Sequence, residues 1–314
     1  MKISAIIPAT NEPATLARCR KAIAETREAP EEVIVVRDPS VTGPAQARNL
    51  GAQQATGDVL VFVDADVEVH PDAFSLIRAA FDRDPELTAV FGSYDDDPER
   101  HGLVSDFRNL LHHHVHQEGA GEAMTFWAGL GAVRRETFLA VRGFDEQRFP
   151  HASIEDIDFG MRLVESGGRI ILDPSIQGKH LKRWTLTNMV RTDFLRRGIP
   201  WVRLLLEGPT QSTALNLGWR HRASAMVSVV LIAGCVTRRP RVTMVAAVGI
   251  LALNRRFYLL LLRRRGWRGA TAGFPLHVLH HLVSVAAVPV GTVLHLRESF
   301  SPASADPAST DNDT

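Results

Sequence analysis

The chain has 314 residues, enough to bury a large core in one or two domains, and its two cysteines, Cys19 and Cys235, suggest neither a disulfide framework nor a cysteine zinc site. Its net charge of +1 hides an uneven distribution, because residues 179–298 carry 19 Lys and Arg against 3 Asp and Glu. These basic clusters alternate with aliphatic runs, which favours a membrane surface and argues against nucleic acid as a partner.

The first part of the chain alternates between strand and helix patterns. The predicted strands are Ile3–Pro8, Glu32–Val36 and Val59–Val63, and the predicted helices are 13–28, 43–55 and 71–82. Continuous apolar strands separated by helices predict an α/β fold, with a mostly parallel sheet flanked by helices on both faces. Ligands bind such sheets at the carboxyl ends of the strands.

The middle of the chain, residues 90–180, has a less regular pattern. We expect a helix at 107–116 and another at 154–166. Ser153 is the expected N-cap of the second helix, and Gly167-Gly168 should end it.

Residues after Trp184 become basic and apolar. Residues 185–206 predict an amphipathic helix that suits a membrane interface. Residues 274–294 contain no Asp, Glu, Lys or Arg, and at ~1.5 Å per residue they match a hydrocarbon core of about 30 Å. Residues 223–237 and 242–253 are uncharged but short, so the sequence leaves one to three membrane spans open.

The arginines between residues 255 and 268 predict an orientation in the membrane. Such a cluster favours the cytosolic side of a membrane. We expect the first half of the chain on the same side, because the apolar run in MKISAIIPA is too short for a signal peptide. The expected localisation is therefore the cytoplasmic membrane.

Polar side chains follow each predicted strand and should converge at one edge of the sheet. They are Thr10, Asn11 and Glu12 after the first strand, Asp38 after the second, and Asp64 and Asp66 after the third. A pair of carboxylates in D-x-D spacing can hold Mg²⁺ or Mn²⁺, which prefer oxygen ligands and share them with substrate phosphates. The alternative is a solvated acidic turn.

Several sequence blocks in residues 2–206 resemble the inverting family 2 glycosyltransferases, which have the nucleotide-sugar-binding GT-A fold. The blocks are IIPATNEP, VVRDPS, GPAQARNLGAQQATGDVLVFVDADV, FWAGLGAVRRETF, GFDE, IEDIDFGMRLVESGG and HLKRW, and some of them are similar to a membrane-attached bacterial branch. Two blocks depart from the family. Arg37-Asp38 stands where paired acids are frequent, and HLKRW replaces the Q-x-x-R-W of processive synthases, which argues against processive synthesis.

The resemblance implies roles for the strand-end residues. Nucleotide-sugar contacts are implied for Thr10, Asn11, Glu12, Asp38, Arg48 and Asp64. Asp66, with Asp64, would ligate Mg²⁺ or Mn²⁺. Asp156 would be the general base, and Glu155 would orient the site. The alternative for Arg48 is a position on the surface of its helix. The alternative for Glu155 and Asp156 is that their charge only stabilises the start of a helix, by about 0.3–1 kcal/mol.

Further residues are candidates for contact with the acceptor or the diphosphate. They are His113, His116, Trp127, His180, Arg183 and Trp184. The His112–His116 cluster predicts no second metal site, because carboxylates suit the expected ion better than imidazoles. The alternative for these histidines is an ordinary cluster at an interface between elements. The alternative for the residues of the HLKRW block is docking to the membrane. His277, His280 and His281 lie in an apolar segment, and no role follows for them from sequence.

These observations predict a membrane-bound inverting glycosyltransferase that uses a UDP- or GDP-linked sugar donor and a lipid-linked or polysaccharide acceptor. The expected regions are a catalytic domain at 1–184, amphipathic helices at 185–221, membrane-attached helices at 222–297 and a disordered tail at 298–314. The alternatives are an inactive membrane scaffold that binds nucleotide-sugar and a nucleotidyltransferase. A dehydrogenase is excluded because no G-x-G-x-x-G follows the first strand.

Overall fold

The computed structural model of the chain describes residues 1–11, 13–38, 40–41, 43–207 and 218–300. The strands are β1 Ile3–Pro8, β2 Glu32–Val36, β3 Val59–Val63, β4 Val67–Val69, β5 Ala89–Tyr94, β6 Gly121–Ala123, β7 Leu130–Arg134 and β8 Ile170–His180. The helices before β8 are α1 Leu16–Ala24, α2 Pro44–Gln54, α3 Ala73–Arg83, α4 Leu103–Glu118, α5 Arg135–Ala140 and α6 Glu155–Glu165. Those after β8 are α7 Leu186–Arg191, a π-helical segment Thr192–Gly198, α8 Ile199–Glu207, α9 Trp219–Val236, α10 Pro240–Leu253 and α11 Arg255–Phe300.

The eight described strands form one mixed sheet in the order β2-β1-β3-β7-β5-β8-β4, with β6 paired to β8. The three strands predicted from sequence are confirmed, and β1 lies between β2 and β3 in parallel pairing. β7 runs antiparallel to both β3 and β5, so it interrupts the parallel pairing, which resumes between β5 and β8. A short buried apolar strand has the same pattern in either direction, and the sequence of β7 therefore gave no sign of its orientation.

Helices cover both faces of the sheet, as the sequence predicted. On one face, Cys19 and Ile23 of α1 and Phe74 and Ile77 of α3 pack against the sheet. The other face is covered by α2, α5 and α6, whose buried side chains include Ala45, Phe138 and Phe159. All five side chains of β3 are buried, so its end is held rigidly between the two layers.

The N-terminus of α6 differs from the predicted cap. Ser153 does not cap the helix, because its hydroxyl donates instead to the carbonyl oxygen of Arg196, 2.8 Å away. The helix ends as predicted, with Gly167 in the left-handed region at φ 87°.

Gly160 allows α6 to lie directly against the loop that precedes β7. A Cβ atom at this position would come within 2.3 Å of the Phe126 nitrogen and 2.5 Å of the Thr125 carbonyl carbon. Both of these are backbone atoms, which cannot rotate away. The absence of a side chain at Gly160 therefore sets the distance between α6 and this loop.

We expect Gly160→Ala to destabilise the protein, although Ala normally favours a helix by about 1 kcal/mol over Gly. Overpacking should lower the free energy of unfolding by about 1–3 kcal/mol and move α6 away from the loop. Thermal unfolding of Gly160→Ala and of a control variant in detergent measures this loss of stability. Gly249→Ala on α10 is the matched control, because its nearest atom would be Val227 Cγ1 at 3.4 Å. Stability of Gly160→Ala equal to or above wild type would contradict the argument.

The C-terminal helices pack against α4. Phe107, Leu110 and Leu111 of α4 share a buried cluster with Phe257 and Leu261 of α11. α11 is not straight, since Gly266 breaks it with φ 63° and ψ −166°. The catalytic half predicted from sequence and the apolar helices thus meet in a common core.

Within the described residues, one helix is long and apolar enough to cross a bilayer. This candidate span is Arg255–Arg297 within α11, and it contains the predicted segment 274–294. The two shorter apolar segments correspond to α9 and α10. Residues 208–217 of the predicted amphipathic region and residues 301–314 of the predicted tail lie outside the described residues.

Candidate active site

The strand-end residues lie together at the carboxyl edge of β1, β2 and β3. Thr10 and Asn11 follow β1 and are accessible to solvent. The amide of Ala9 donates to the Val36 carbonyl at 2.9 Å, which keeps the ends of β1 and β2 adjacent. Asp38 is exposed and accepts hydrogen bonds from the Ser40 amide at 2.9 Å and its hydroxyl at 2.6 Å. Glu12 lies outside the described residues.

Arg48 of α2 joins the two acidic motifs. Its guanidinium donates from Nη2 to Asp64 Oδ1 at 2.7 Å and from Nη1 to Glu155 Oε1 at 2.9 Å. Arg48 is only 4% exposed. Asp64 at the end of β3 and Glu155 at the start of α6 are far apart in sequence, so this one side chain fixes their separation.

The site contains a carboxylate cluster that holds more negative than positive charge. Its members are Asp64, Asp66, Glu155 and Asp156. Burial raises the pKa of Asp64, and nearby Asp66 raises it further, although Arg48 opposes the change. Burial disfavours the charged form of Arg48, but attraction to Asp64 and Glu155 outweighs it and raises the pKa of Arg48. Excess buried negative charge is the condition under which a cation binds favourably.

Asp66 is oriented by His180 at the end of β8. His180 Nε2 lies 3.5 Å from Asp66 Oδ2, and its Nδ1 lies 2.6 Å from Asn109 Oδ1. Burial opposes ionisation of Asp66, but the His180 hydrogen bond prevails and lowers the pKa of Asp66. The neighbouring strands β4 and β8 are paired here, with Val67 opposite His180.

The cluster fits a hard divalent cation. No group of three or more His, Cys, Asp or Glu side chains converges on one point among the described residues. Two partly exposed carboxylates, Asp64 and Asp66, nevertheless offer oxygen ligands beside excess negative charge. Mg²⁺ and Mn²⁺ keep several waters and use substrate phosphates, so two protein carboxylates suffice for such an ion.

Asp156 is placed and charged as a general base should be. Its Oδ2 accepts from the Ala128 amide at 3.2 Å and its Oδ1 from the Ile157 amide at 2.9 Å. Burial and repulsion from Glu155 raise the pKa of Asp156 to about 7. Its side chain is only half-buried, so a substrate proton can reach it. A base whose pKa is near the working pH is the most effective.

Aromatic rings lie next to Asp66. Tyr94 at the end of β5 stacks on His180 with ring centroids 4.2 Å apart and an angle of 15°. Trp127 packs edge-on against Tyr94 at 4.8 Å, and His112 lies 5.0 Å from Trp127. Tyr94 is only 8% exposed and His180 covers one face of its ring, so Tyr94 supports His180 next to Asp66. Tyr94 was missed in the sequence analysis, although its position at a strand end was a usable signal.

The remaining sequence candidates have structural contacts. His113 Nδ1 lies 2.8 Å from the Tyr94 carbonyl, and His116 Nδ1 lies 2.9 Å from the Gly92 carbonyl, so both join α4 to β5. Trp184 is buried between Arg108 and Lys182, whose cations lie 5.5 and 4.8 Å from its ring. All three side chains are buried in these contacts.

Arg183 and the histidines of α11 have different surroundings. Arg183 is exposed. His280 Nδ1 lies 2.9 Å from Asp193 Oδ2, and His277 Nδ1 lies 3.1 Å from the Tyr258 hydroxyl. His277 and His280 therefore belong to contacts between helices.

Part of the chain is similar in sequence to known glycosyltransferases. The sequence model of the family "Glycosyl transferase family 2" matches residues 39–141. An uncharacterized glycosyltransferase of Haemophilus influenzae is 25% identical over 139 residues, which cover 42% of this chain and 45% of that protein. The chain thus matches less than half of the length of this relative.

A solved structure has a similar fold over almost the whole chain. It is the mannosyltransferase PcManGT from Pyrobaculum calidifontis in complex with GDP-Man and Mn²⁺. The TM-score is 0.53 at 16% sequence identity, and the alignment covers 95% of this chain and 87% of that one. The mixed sheet with flanking helices is the fold of the GT-A nucleotide-sugar transferases, as predicted. The match of residues 39–141 to the family 2 glycosyltransferase model confirms the resemblance predicted from sequence.

Proposed function

We propose that the protein is a membrane-bound inverting glycosyltransferase that moves a sugar from a nucleotide-diphosphate donor to a lipid-linked or cell-envelope acceptor. The observation that carries this proposal is the Arg48 bridge. It joins Asp64, beside the candidate metal ligand Asp66, to Glu155, beside the candidate base Asp156. Donor activation and proton removal can therefore occur around one sugar.

The reaction is a single displacement. The acceptor oxygen attacks the anomeric carbon and forms the new C–O bond while its proton passes to Asp156. The old C–O bond breaks, and its electron pair leaves with the nucleoside diphosphate. A divalent cation held by Asp64 and Asp66 would offset the charge that develops on this leaving group. The relative PcManGT, which was solved with GDP-Man and Mn²⁺, supports this choice of donor and cofactor.

Contacts between the helical region and the catalytic part support membrane attachment with the active site on the cytosolic side. Arg256 pairs with Glu118 at 2.8 Å, and Arg265 pairs with Asp106 at 2.8 Å. The arginine cluster therefore lies on the same side as the active site, where the positive-inside rule places it. Large apolar side chains are exposed on α9 and α10: Met226, Val230, Val236, Met244, Val245 and Val248. A bilayer would cover them.

Donor hydrolysis by the detergent-solubilised full chain tests the proposed function. We expect one UDP- or GDP-linked sugar in a panel to release nucleoside diphosphate with Mn²⁺ or Mg²⁺, and chelation with EDTA to stop the release. Asp66→Asn should lose nucleoside diphosphate release in the same way, without any chelator. Release that is unaffected by EDTA would contradict the metal assignment. Absence of release from every donor would favour an inactive scaffold.

A further inference from the structure

We infer that Asn109 of α4 is a positioning residue for the candidate metal site, because it holds His180 and His180 in turn holds Asp66. The inference rests on the proposed function, since Asp66 is the candidate ligand of the divalent cation. It deepens that function by making the metal ligand depend on α4, a helix that carries none of the carboxylates of the site.

The ring of His180 has a different partner at each of its two nitrogens. Nε2 lies 3.5 Å from Asp66 Oδ2, and Nδ1 lies 2.6 Å from Asn109 Oδ1. Tyr94 stacks on the ring with centroids 4.2 Å apart, so a rotation of the ring out of its plane would push it into Tyr94. The two nitrogens move together in one rigid ring. The contact with Asn109 therefore determines where Nε2 points.

An asparagine suits this position because its amide has both an acceptor and a donor. It can pair with Nδ1 of His180 in either tautomer of the ring, whereas an apolar side chain can pair with neither. Asn109 is 1% exposed and His180 is 3% exposed. Bulk water therefore cannot take the place of the amide if it is removed.

The stability of the fold alone does not explain Asn109. Its amide nitrogen is buried and has no hydrogen-bond partner among the residues that the structure describes. A buried donor without a partner destabilises a protein. A leucine, which is of similar size, would not leave such a donor at this position. The contact with His180 is therefore the better explanation for an asparagine here.

Two histidines on the same face of α4 fix the position of Asn109. His113 and His116 share this face with Asn109, because side chains three and four residues apart lie above one another on a helix. Their Nδ1 atoms lie 2.8 and 2.9 Å from the carbonyl oxygens of Tyr94 and Gly92 in β5. These contacts set the register of α4 on the sheet and hold the amide at the end of β8.

Another face of α4 packs against the C-terminal helices. Phe107, Leu110 and Leu111 share a buried cluster with Phe257 and Leu261 of α11. A displacement of α11 would move α4 and, with it, the amide that holds the ring. The helical region can thus influence the candidate metal ligand although it contributes no residue to the carboxylate cluster.

The neighbours of a metal ligand affect the affinity for the metal. A partner that holds one oxygen of a carboxylate leaves the other oxygen directed to the ion, and loss of such a partner typically weakens metal binding about 10- to 100-fold. His180 has this place beside Asp66, and Asn109 acts through His180. Removal of the amide should therefore weaken metal binding at the lower end of this range.

Binding of Mn²⁺ to the full chain in detergent tests the inference. The EPR signal of free Mn²⁺ measures it without turnover, alone and with UDP or GDP. Asn109→Leu and Asn109→Ala should each raise the Kd for Mn²⁺ about 10-fold. Asn109→Asp, which keeps an oxygen for Nδ1 of the ring, should bind Mn²⁺ at least as tightly as the wild type. Thermal unfolding should show that each variant remains folded.

Two further variants separate positioning from a general effect on α4. Gln117→Leu is the matched control, because it removes an amide from the same helix whose nitrogen lies 3.4 Å from the Pro174 carbonyl oxygen. Its Mn²⁺ binding should equal that of the wild type. In His180→Leu protein, Asn109→Leu should cause little additional loss, since residues that act through one another are not additive.

Several results would overturn the inference while the proposed function stands. They are unchanged Mn²⁺ binding in Asn109→Leu, an equal loss in Asn109→Asp, an equal loss in Gln117→Leu, and an undiminished loss from Asn109→Leu in the His180→Leu background. Wild-type protein that bound no Mn²⁺ would overturn the inference together with the metal assignment of the proposed function. The two failures are therefore distinct.

Discussion

Asp156→Asn is expected to lower kcat by about 10²- to 10⁴-fold, the usual contribution of a general base. Asparagine keeps the shape of the side chain and can still accept the hydrogen bond from the Ala128 amide. It cannot take a proton from the acceptor. Donor affinity should therefore be preserved, and the measurement is sugar transfer at saturating donor together with nucleoside diphosphate binding.

The pH profile gives a second test of this role. Burial and Glu155 raise the pKa of Asp156 to about 7, and only the ionised form is a base. The rate in the wild type should rise with pH and level off above about 7. The folded protein also binds this proton more tightly than the unfolded chain, so Asp156 should lower stability progressively as pH rises from about 4 to about 7. Asp156→Asn should remove both effects.

Glu165→Gln provides the matched control for Asp156→Asn. It lies at the exposed end of the same helix and has the same change in charge. Its rate and pH profile should equal those of the wild type. If Asp156→Asn kept full transfer activity, Asp156 would not be the base, and the acidic start of α6 would serve only as a favourable helix-end charge.

Arg48→Met should destabilise the protein by about 3–5 kcal/mol, because it leaves buried carboxylates without their partner. Asp64 and Glu155 would then repel each other and the neighbouring acids. Loss of Arg48 should raise the pKa of Asp64 further above that of the unfolded chain, so the destabilisation should be small at acidic pH and greatest above neutrality. Denaturant unfolding at pH 5 and pH 8 measures the difference.

Arg162→Met is a suitable comparison for Arg48→Met. Arg162 also binds an acid, Asp158 at 2.8 Å, but about a third of its side chain is exposed. Loss of Arg162 should lower the free energy of unfolding less than loss of Arg48, and the effect should depend less on pH. A similar pH dependence in both variants would show that the carboxylate cluster is not the cause. Addition of Mn²⁺ should stabilise Arg48→Met more than Arg162→Met, because the cation can replace part of the missing positive charge.

Local patterns determined the parts of the fold that sequence could predict. Continuous apolar runs identified β1, β2 and β3, and helical periodicity identified α1 to α3. The D-x-D pair was recognised because it follows a strand, whereas the roles of Glu155 and Asp156 were implied by the family resemblance. The direction of β7 and the pairing of β4 with β8 depend on contacts between distant residues, which no local pattern contains.

The internal contacts of the site could not be predicted for the same reason. The predicted place of Arg48 near the nucleotide is not tested, but its burial between Asp64 and Glu155 had no sign in the sequence. His180 was expected at the acceptor or diphosphate, and it lies against Asp66.

The buried cluster shared by α4 and α11 has a consequence for dissection of the molecule. Truncation after Trp184 would leave Phe107, Leu110 and Leu111 facing water, with the loss of most of their apolar neighbours. A fragment of this kind should aggregate even though it retains every carboxylate of the site. The apolar helices thus complete the interior of the protein, and removal of these helices would also remove part of what keeps the N-terminal half folded.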